Sequence, residues 1–414
     1  MIDIQFIRDN PERVAEKSKQ KGYDIDVTQL LGFDTERREL QQQVDGLRQE
    51  RNEIAASMKG GKPSDDMIAK GKEVKDKLGH LEQQLTIIEE KYITLLNKVP
   101  NLTFDDVPIG GEEDSVEIKQ WGGQPTGAKD HLDLATEKGW VDFERGAKVA
   151  GAKFYYLKGD LALLENALIQ YGIDFVTKKG FTFMTVPHMV NSRTAQGAGF
   201  APKGDDEGNE YFIEGEDLAL IGTAEAPLTG FHADEIIDEA QLPLLYAGLS
   251  PCYRREAGTY GKHARGLFRV HQFNKLEMYA FVTPEQSKEM HERILAIEEE
   301  IWQSLSVPYH VINIASGDLG APAAKKYDLE YWSSVDSKYR ELTSCSNCTD
   351  FQARNLNIRV RRKEGAVEVL HTLNGTAISL ARSLIAIIEH HQTEDGHIKI
   401  PEALQPFMFG KTEI

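Results

Sequence analysis

Between residues 33 and 95 the chain is polar except for side chains that recur at alternating steps of four and three. The first run is Phe33, Arg37, Leu40, Val44, Leu47, Arg51 and Ile54, interrupted by its two arginines; the second is Val74, Leu78, Leu81, Leu85, Ile88, Tyr92 and Leu95, without interruption. That spacing is the seam of a coiled coil. KGGKPSDD at 59–66 breaks it with the glycines and proline of a turn. The pattern predicts two helices folded back as an antiparallel hairpin, roughly 40–50 Å long at 1.5 Å per residue. A stripe this thin holds little beyond its own fold, so the hairpin reads as a spacer, a dimerisation element or an arm that reaches a large partner. A short helical lead-in precedes it, with Asn10 placed as a cap before Pro11.

Past residue 98 the pattern changes. Residues 101–120, rich in Pro, Gly and acid, read as a linker, which leaves 1–100 as the helical arm and 121–414 as a globular domain. In that domain helices are expected near 131–137, 159–176 and 284–305, and from about 377. Strand segments are expected at 153–157 and 181–190, at the two ends of PYHVINIASGDLGAPAAKKYDLEYW (308–332) with a loop between them, and around the polar stretch 251–279. Asn374-Gly375-Thr376 reads as a turn. Many strands joined by hairpins, with few helices between them, predict an α+β fold: an antiparallel sheet flanked by helices.

The stretch PCYRREAGTYGKHARGLFRVHQFNKLEMY, 251–279, reads as a long hairpin with arginines on one face, and cations at that density call for an anion such as a phosphate chain. The chain as a whole carries a formal charge of −18. That argues against indiscriminate nucleic-acid binding but not against docking on a locally basic surface. Residues 29–98 hold twelve cationic and thirteen acidic side chains, so the excess acid lies elsewhere, and Arg38, Arg48 and Lys75 are candidate contacts to a nucleic-acid backbone. With no apolar run of spanning length, no leader and three cysteines, the expectation is a cytoplasmic protein with free thiols and no membrane association.

Polar clusters mark the ends of the strand segments: Thr223 with Glu225; Arg254, Glu256, Arg269 and Glu277; Glu341 with Ser344; Thr376 with Arg382. Together they supply a cationic environment for phosphate and an anionic one for an amine or a metal. Neither a P-loop nor a nucleophile-elbow serine occurs. Cys345 and Cys348 have a zinc-like spacing, but no second pair accompanies them, so no zinc is expected.

These segments resemble the three signatures of class II aminoacyl-tRNA synthetases, and the whole chain resembles the bacterial type of the seryl-tRNA synthetase family. FTFMTVPHMV resembles motif 1, YRREAGTYGKHARGLFRVHQFNKLEMY motif 2 and LNGTAISLARSLIAIIE motif 3; TAE at 223–225 and ELTSCSNCTDFQAR resemble further signatures of that family. The resemblance implies a homodimer that activates L-serine with ATP and Mg²⁺ and transfers it to tRNA(Ser), and to tRNA(Sec) where a cell has one. Arg254 would grip the α-phosphate and the serine carboxylate, and Arg269 would sit near the triphosphate. Glu256 would meet the adenine amino edge and Phe273 would stack on the base, with Arg382 on its other face near the γ-phosphate. Glu341 and Ser344 would hold magnesium. Thr223 and Glu225 would orient the serine ammonium, while Glu277 and Thr376 would line the pocket for its hydroxyl. The arm would reach the tRNA. Arg255 takes no role from the motif, and the turn 257–266 is expected to be the mobile part.

Overall fold

The computed structural model describes residues 1–58, 64–200, 209–256 and 266–414, which include two compact units, Met1–Leu102 and Thr103–Ile414. In the first, helices Ile4–Asp9 and Pro11–Gln20 lead into α1 (Val27–Ser57) and α2 (Asp65–Lys98). Asn10 does not cap the second lead-in helix with its side chain; its amide donates to the Phe6 carbonyl at 3.1 Å, and Pro11 fills the first position, where no N–H is needed. Asp26 caps α1 by accepting from the Gln29 N–H at 2.8 Å, and Ser64 caps α2.

The seam predicted from spacing packs as Leu40, Val44, Leu78, Leu85 and Ile88, with Phe33, Leu47 and Leu81 beside them. Its two arginines part company. Arg37 stays in the interface by laying its guanidinium 4.8 Å from the centre of the Tyr92 ring, whereas Arg51 is exposed. Of the break expected at 59–66, residues 59–63 lie outside the described residues.

The second unit is built on an eight-stranded sheet. In chain order its strands are β1 (Val116–Trp121), β2 (Thr182–Thr185), β3 (Leu244–Tyr253), β4 (Gln272–Val282), β5 (Tyr309–Asn313), β6 (Lys325–Ser333), β7 (Lys338–Thr349) and β8 (His371–Ser379). Their order across the sheet is β1-β5-β6-β7-β8-β4-β3-β2, antiparallel except for the β2–β3 pair. Three helices, α3 (Gly159–Lys178), α4 (Ser287–Ser304) and α5 (Leu380–His390), supply Leu164, Ile294, Ile301, Leu384 and Ile388 to a large core that takes in Leu276, Met278 and Ala280 of β4. Tyr279 and Phe281, the intervening residues of β4, join a second core with Leu228, Ile237 and Leu356. Period-two alternation on β4 thus feeds two layers.

Three expectations are corrected. The stretch read as a linker belongs to this unit from Thr103 on: Val107 packs with Ile314 and Leu319, and Val116–Trp121 forms an edge strand. Asn374-Gly375-Thr376 is not a turn but the middle of β8, between β4 and β7. Glycine serves there because a Cβ at Gly375 would lie 2.3 Å from Ile294 Cγ2 and 2.8 Å from Glu298 Oε1, so α4 can lie against the strand only where a side chain is missing. Finally, 251–279 is a hairpin with shorter strands than its pattern suggests. Gln272 pairs with Tyr253, so Arg254, Arg255, Glu256 and Arg269 stand beyond the paired strands, and Gly266–Phe268 is a short 3₁₀ turn. The arginines therefore avoid the cross-strand repulsion they would meet on facing strands. Of the turn expected to be mobile, 257–266, residues 257–265 lie outside the described residues.

Candidate active site

The hairpin ends, β7, β8 and the start of α5 enclose a cavity of about 220 Å³ lined by Arg254, Glu256, Phe268, Arg269, Phe273, Lys275, Glu341, Ser344, Thr376 and Arg382, among others. Eight of these were singled out from sequence; Phe268 and Lys275 were not assigned a role there. Arg254 leaves β3 with its Nε donating to the Gly222 carbonyl at 3.3 Å and its guanidinium 5.2 Å from the centre of the Phe273 ring. Arg269 reaches Glu256 at 3.1 Å. Arg382, in the first turn of α5, lies 4.9 Å from the Phe268 ring centre and 2.9 Å from Glu341. An arginine in an otherwise apolar helix is thereby paired rather than stranded.

Glu341 opens toward the cavity, with its side chain 42% exposed. Partial burial would raise its carboxyl, but the positive charges of Arg382, Lys326 and Arg254 outweigh that and hold it at about 2, so it is ionised at neutral pH. Ser344 lies beside it in the cavity lining, partly exposed. A carboxylate and a hydroxyl are hard oxygen donors of the kind Mg²⁺ accepts. Among the described residues no group of three or more His, Cys, Asp or Glu could hold a metal ion.

Behind this cavity sits a polar knot on the same strands. Thr223 and Thr376 each donate to Glu277 Oε2 at 3.4 Å, and Lys275 forms an ion pair with the same oxygen. Glu277 and Lys275 are both buried. Glu225 Oε1 accepts from Gln352 at 2.7 Å and from Asn374 at 3.0 Å. Gln352 in turn accepts from Tyr279 and Thr372 and donates to the Ala198 carbonyl, so the network that fixes Glu225 leaves no polar end of Gln352 unmet. Burial, and then the charge of Glu277, raise the Glu225 carboxyl to about 7 against the opposing pull of Gln352, Lys275 and Arg254.

The structure therefore brings together, in one unit, every site residue predicted for nucleotide, amino acid and metal. The sequence alone assigns no role to Lys275, Gln352 or Asn374. Lys275 carried a signal, a lysine two places from Glu277 on one face of a strand, whereas Asn374 was hidden by its likeness to an Asn-Gly turn. The three arm residues lie in the other unit. Arg38 and Lys75 are exposed on their helices, while Arg48 is tied to Glu82 of the facing helix at 2.8 Å and to Asp45 at 3.7 Å.

Comparison with known proteins bears on both units. Residues 1–103 match the model of the seryl-tRNA synthetase N-terminal domain, and 211–391 that of the class II tRNA synthetase core domain (G, H, P, S and T). The serine–tRNA ligase of Dictyoglomus turgidum is 47% identical over 423 residues, spanning 100% of this chain and 99% of its own. The chain belongs to the seryl-tRNA synthetase family. Membership makes it an ATP-dependent aminoacyl-tRNA ligase that acts on serine. Among solved structures, the seryl-tRNA synthetase of Pyrococcus horikoshii complexed with ATP has a TM-score of 0.91 at 42% identity, covering 100% of this chain and 99% of that one. The cytoplasmic serine–tRNA ligase of Naegleria fowleri in complex with AMP has a TM-score of 0.87 at 31% identity, covering 100% and 98%. The seryl-tRNA synthetase fold thus extends over the arm as well as the catalytic core. No helix among the described residues is long and apolar enough to cross a membrane.

Proposed function

We propose that the cavity is the ATP site, the knot behind it the serine site, and that serine is activated where they meet. The observation that carries this is their shared residues: Thr376 and Lys275 line the cavity and bond Glu277 in the knot. Arg254 and Arg269 face the triphosphate, Glu256 reads the adenine amino group, Phe273 stacks on the base, and Arg382 lies across the cavity from it. Glu225, with Thr223 beside it, takes the serine ammonium. Thr223, Thr376 and Lys275 all converge on Glu277 Oε2, and Oε1 is the atom we assign to the serine hydroxyl.

The serine carboxylate is already a nucleophile, so the first step needs no side-chain base. It attacks the α-phosphorus in line, the bond to the bridging oxygen breaks, and pyrophosphate leaves with the electron pair. A ribose hydroxyl at the tRNA 3′ end then attacks the seryl carbonyl and AMP departs. The chain contributes placement and charge neutralisation. Glu341 and Ser344 would hold magnesium with phosphate and water as its remaining ligands, and Glu341 would share its carboxylate with Arg382. Magnesium, when bound, offsets the charge that builds on the phosphate oxygens. Alanine leaves Glu277 Oε1 without a donor, and threonine brings an extra methyl into the pocket; both are rejected on those grounds.

The helical unit serves as the tRNA-binding arm, with Arg38 and Lys75 free to contact phosphates and Arg48 able to do so only by exchanging its carboxylate partners. A homodimer fits an edge strand, Thr182–Thr185, followed by exposed Met189. The setting is the cytoplasm, and tRNA(Sec) is a further substrate where one exists. ATP–pyrophosphate exchange with each of the twenty amino acids, followed by charging of total tRNA, tests the reading: exchange with serine and charging of serine tRNAs are expected, and exchange without charging would point to an adenylate-forming relative instead.

The raised Glu225 carboxyl adds a pH signature. Below about pH 7 it binds a proton, loses its charge and loses its attraction for the serine ammonium. The kcat/KM for serine is therefore expected to fall roughly tenfold per pH unit below the transition and to level off above it. Glu225→Gln should lower the plateau and remove the step. A flat wild-type profile from pH 6 to 8 would count against the assignment.

A further inference from the structure

Glu256 stands in a position that its own backbone disfavours. Its φ is +49°, in the left-handed region where a long side chain is uncommon. It is the last described residue before the segment 257–265, and the chain leaves paired structure at Tyr253, so neighbouring ladder bonds do not impose that conformation. What holds it comes from two sides. On one, the Arg254 N–H donates to the His271 carbonyl at 2.9 Å and His271 Nδ1 meets the Arg254 carbonyl at 2.9 Å. On the other stands Asn209, distant in sequence. Its main-chain carbonyl accepts from the Arg255 N–H at 2.9 Å, and its side-chain Oδ1 accepts from the Glu256 N–H at 2.9 Å.

We propose that Asn209 is a positioning residue for base recognition: by clamping the two consecutive N–H groups of Arg255 and Glu256 it holds the Glu256 carboxylate, already met by Arg269, at the height where it reads the adenine amino group. Arg255, which the motif leaves without a role, enters through its backbone. Asn209 leads directly into the short strand Tyr211–Phe212, which pairs with Ala219–Leu220, and Thr223 follows three residues later. The clamp therefore ties the base reader to the ribbon that also carries the amino-acid site. The proposal rests on the assignment of Glu256 to adenine. Asn209 itself is exposed and makes no contact with the base in this scheme.

The test uses the full chain and four variants, Asn209→Ala, Asn209→Asp, Glu256→Ala and the double Asn209→Ala/Glu256→Ala. Pyrophosphate exchange at saturating serine is measured with ATP and with inosine triphosphate, which carries an oxygen in place of the amino group. Losing an anchor for a group that binds ground and transition states alike should raise KM for ATP, by about tenfold, more than it lowers kcat. Asn209→Ala should also narrow the preference for ATP over inosine triphosphate. Asn209→Asp keeps the acceptor and should restore most of both, and the double variant should be no worse than Glu256→Ala. Because Asn209 is exposed, the melting temperature should stay near that of the parent. Additive losses in the double variant, or an unchanged base preference in Asn209→Ala while Glu256→Ala loses it, would overturn the clamp and leave the base assignment standing. An unchanged preference in Glu256→Ala would overturn both.

Discussion

Glu277→Gln is expected to lower kcat/KM for serine in pyrophosphate exchange on the order of 10²-fold while leaving KM for ATP within about threefold of the parent. Glutamine keeps the shape of the side chain but turns an acceptor site that collects Thr223, Thr376 and Lys275 into a neutral amide. One end of that amide donates, so it cannot accept from three donors and from the serine hydroxyl as well. Alanine is the less informative change. It would leave the buried Lys275 ammonium without its carboxylate beside a new cavity, a loss of about 3–5 kcal/mol that mixes folding with function. The nucleotide half should be spared because Arg254, Phe273 and Arg382 make their contacts without Glu277. A Glu277→Gln enzyme with the parent's serine dependence would remove this residue from the amino-acid site.

Excising the outer part of the helical unit should produce the opposite pattern. Arg37 lies over Tyr92, so the two helices are side by side there, and a short glycine-serine link from Arg38 to Lys91 can close the chain. The catalytic unit has its own core and its own cavity. Pyrophosphate exchange should therefore stay within about twofold of the parent, while tRNA charging falls roughly 10²-fold, equivalent to about 2.8 kcal/mol of lost tRNA binding at 1.4 kcal/mol per decade. The remaining charging should also depend less steeply on salt if the removed segment carries the proposed phosphate contacts. Equal charging by the shortened protein would make the hairpin a spacer.

The features legible in the sequence were those with a local period or a local charge pattern. The 4-3 spacing from Val74 to Tyr92 yields a seam because burial on a helix repeats every 3.5 residues in a coiled coil, and Leu78, Leu85 and Ile88 lie in it. Helices near 131–137 and 159–176 were also legible, the second running on to Lys178. What escaped depended on partners far along the chain. Asn374-Gly375 looks like a turn until Ile294 and Glu298 of α4 are seen to need the missing side chain. The acid and proline of 103–120 look like solvent-facing linker until Val107 is seen to pack near Ile314. Asn209 sits forty-seven residues from Glu256, in a stretch without periodicity. The candidate site was legible as an inventory of side chains, but Lys275 as the partner of Glu277 and Gln352 as the anchor of Glu225 required the register of β4 and the place of the helix Phe351–Asn355.

Strand β4 carries Phe273, Lys275 and Glu277 at alternate positions, with Tyr279 next in the series, while Leu276 and Met278 face the helices. At about 3.3 Å per residue, four residues of strand separate Phe273 from Glu277 by roughly 13 Å. On the proposed assignment, with the base at Phe273 and the amino-acid side chain at Glu277, the strand would act as a ruler for the adenylate. Its graduations come only in steps of two residues, because a one-residue insertion would turn the marks to the wrong face. On that assignment the separation of base and amino acid would be quantised by the pleat, and adaptation to a longer or shorter amino acid would have to come from the side chains around the end of the ruler and not from its length.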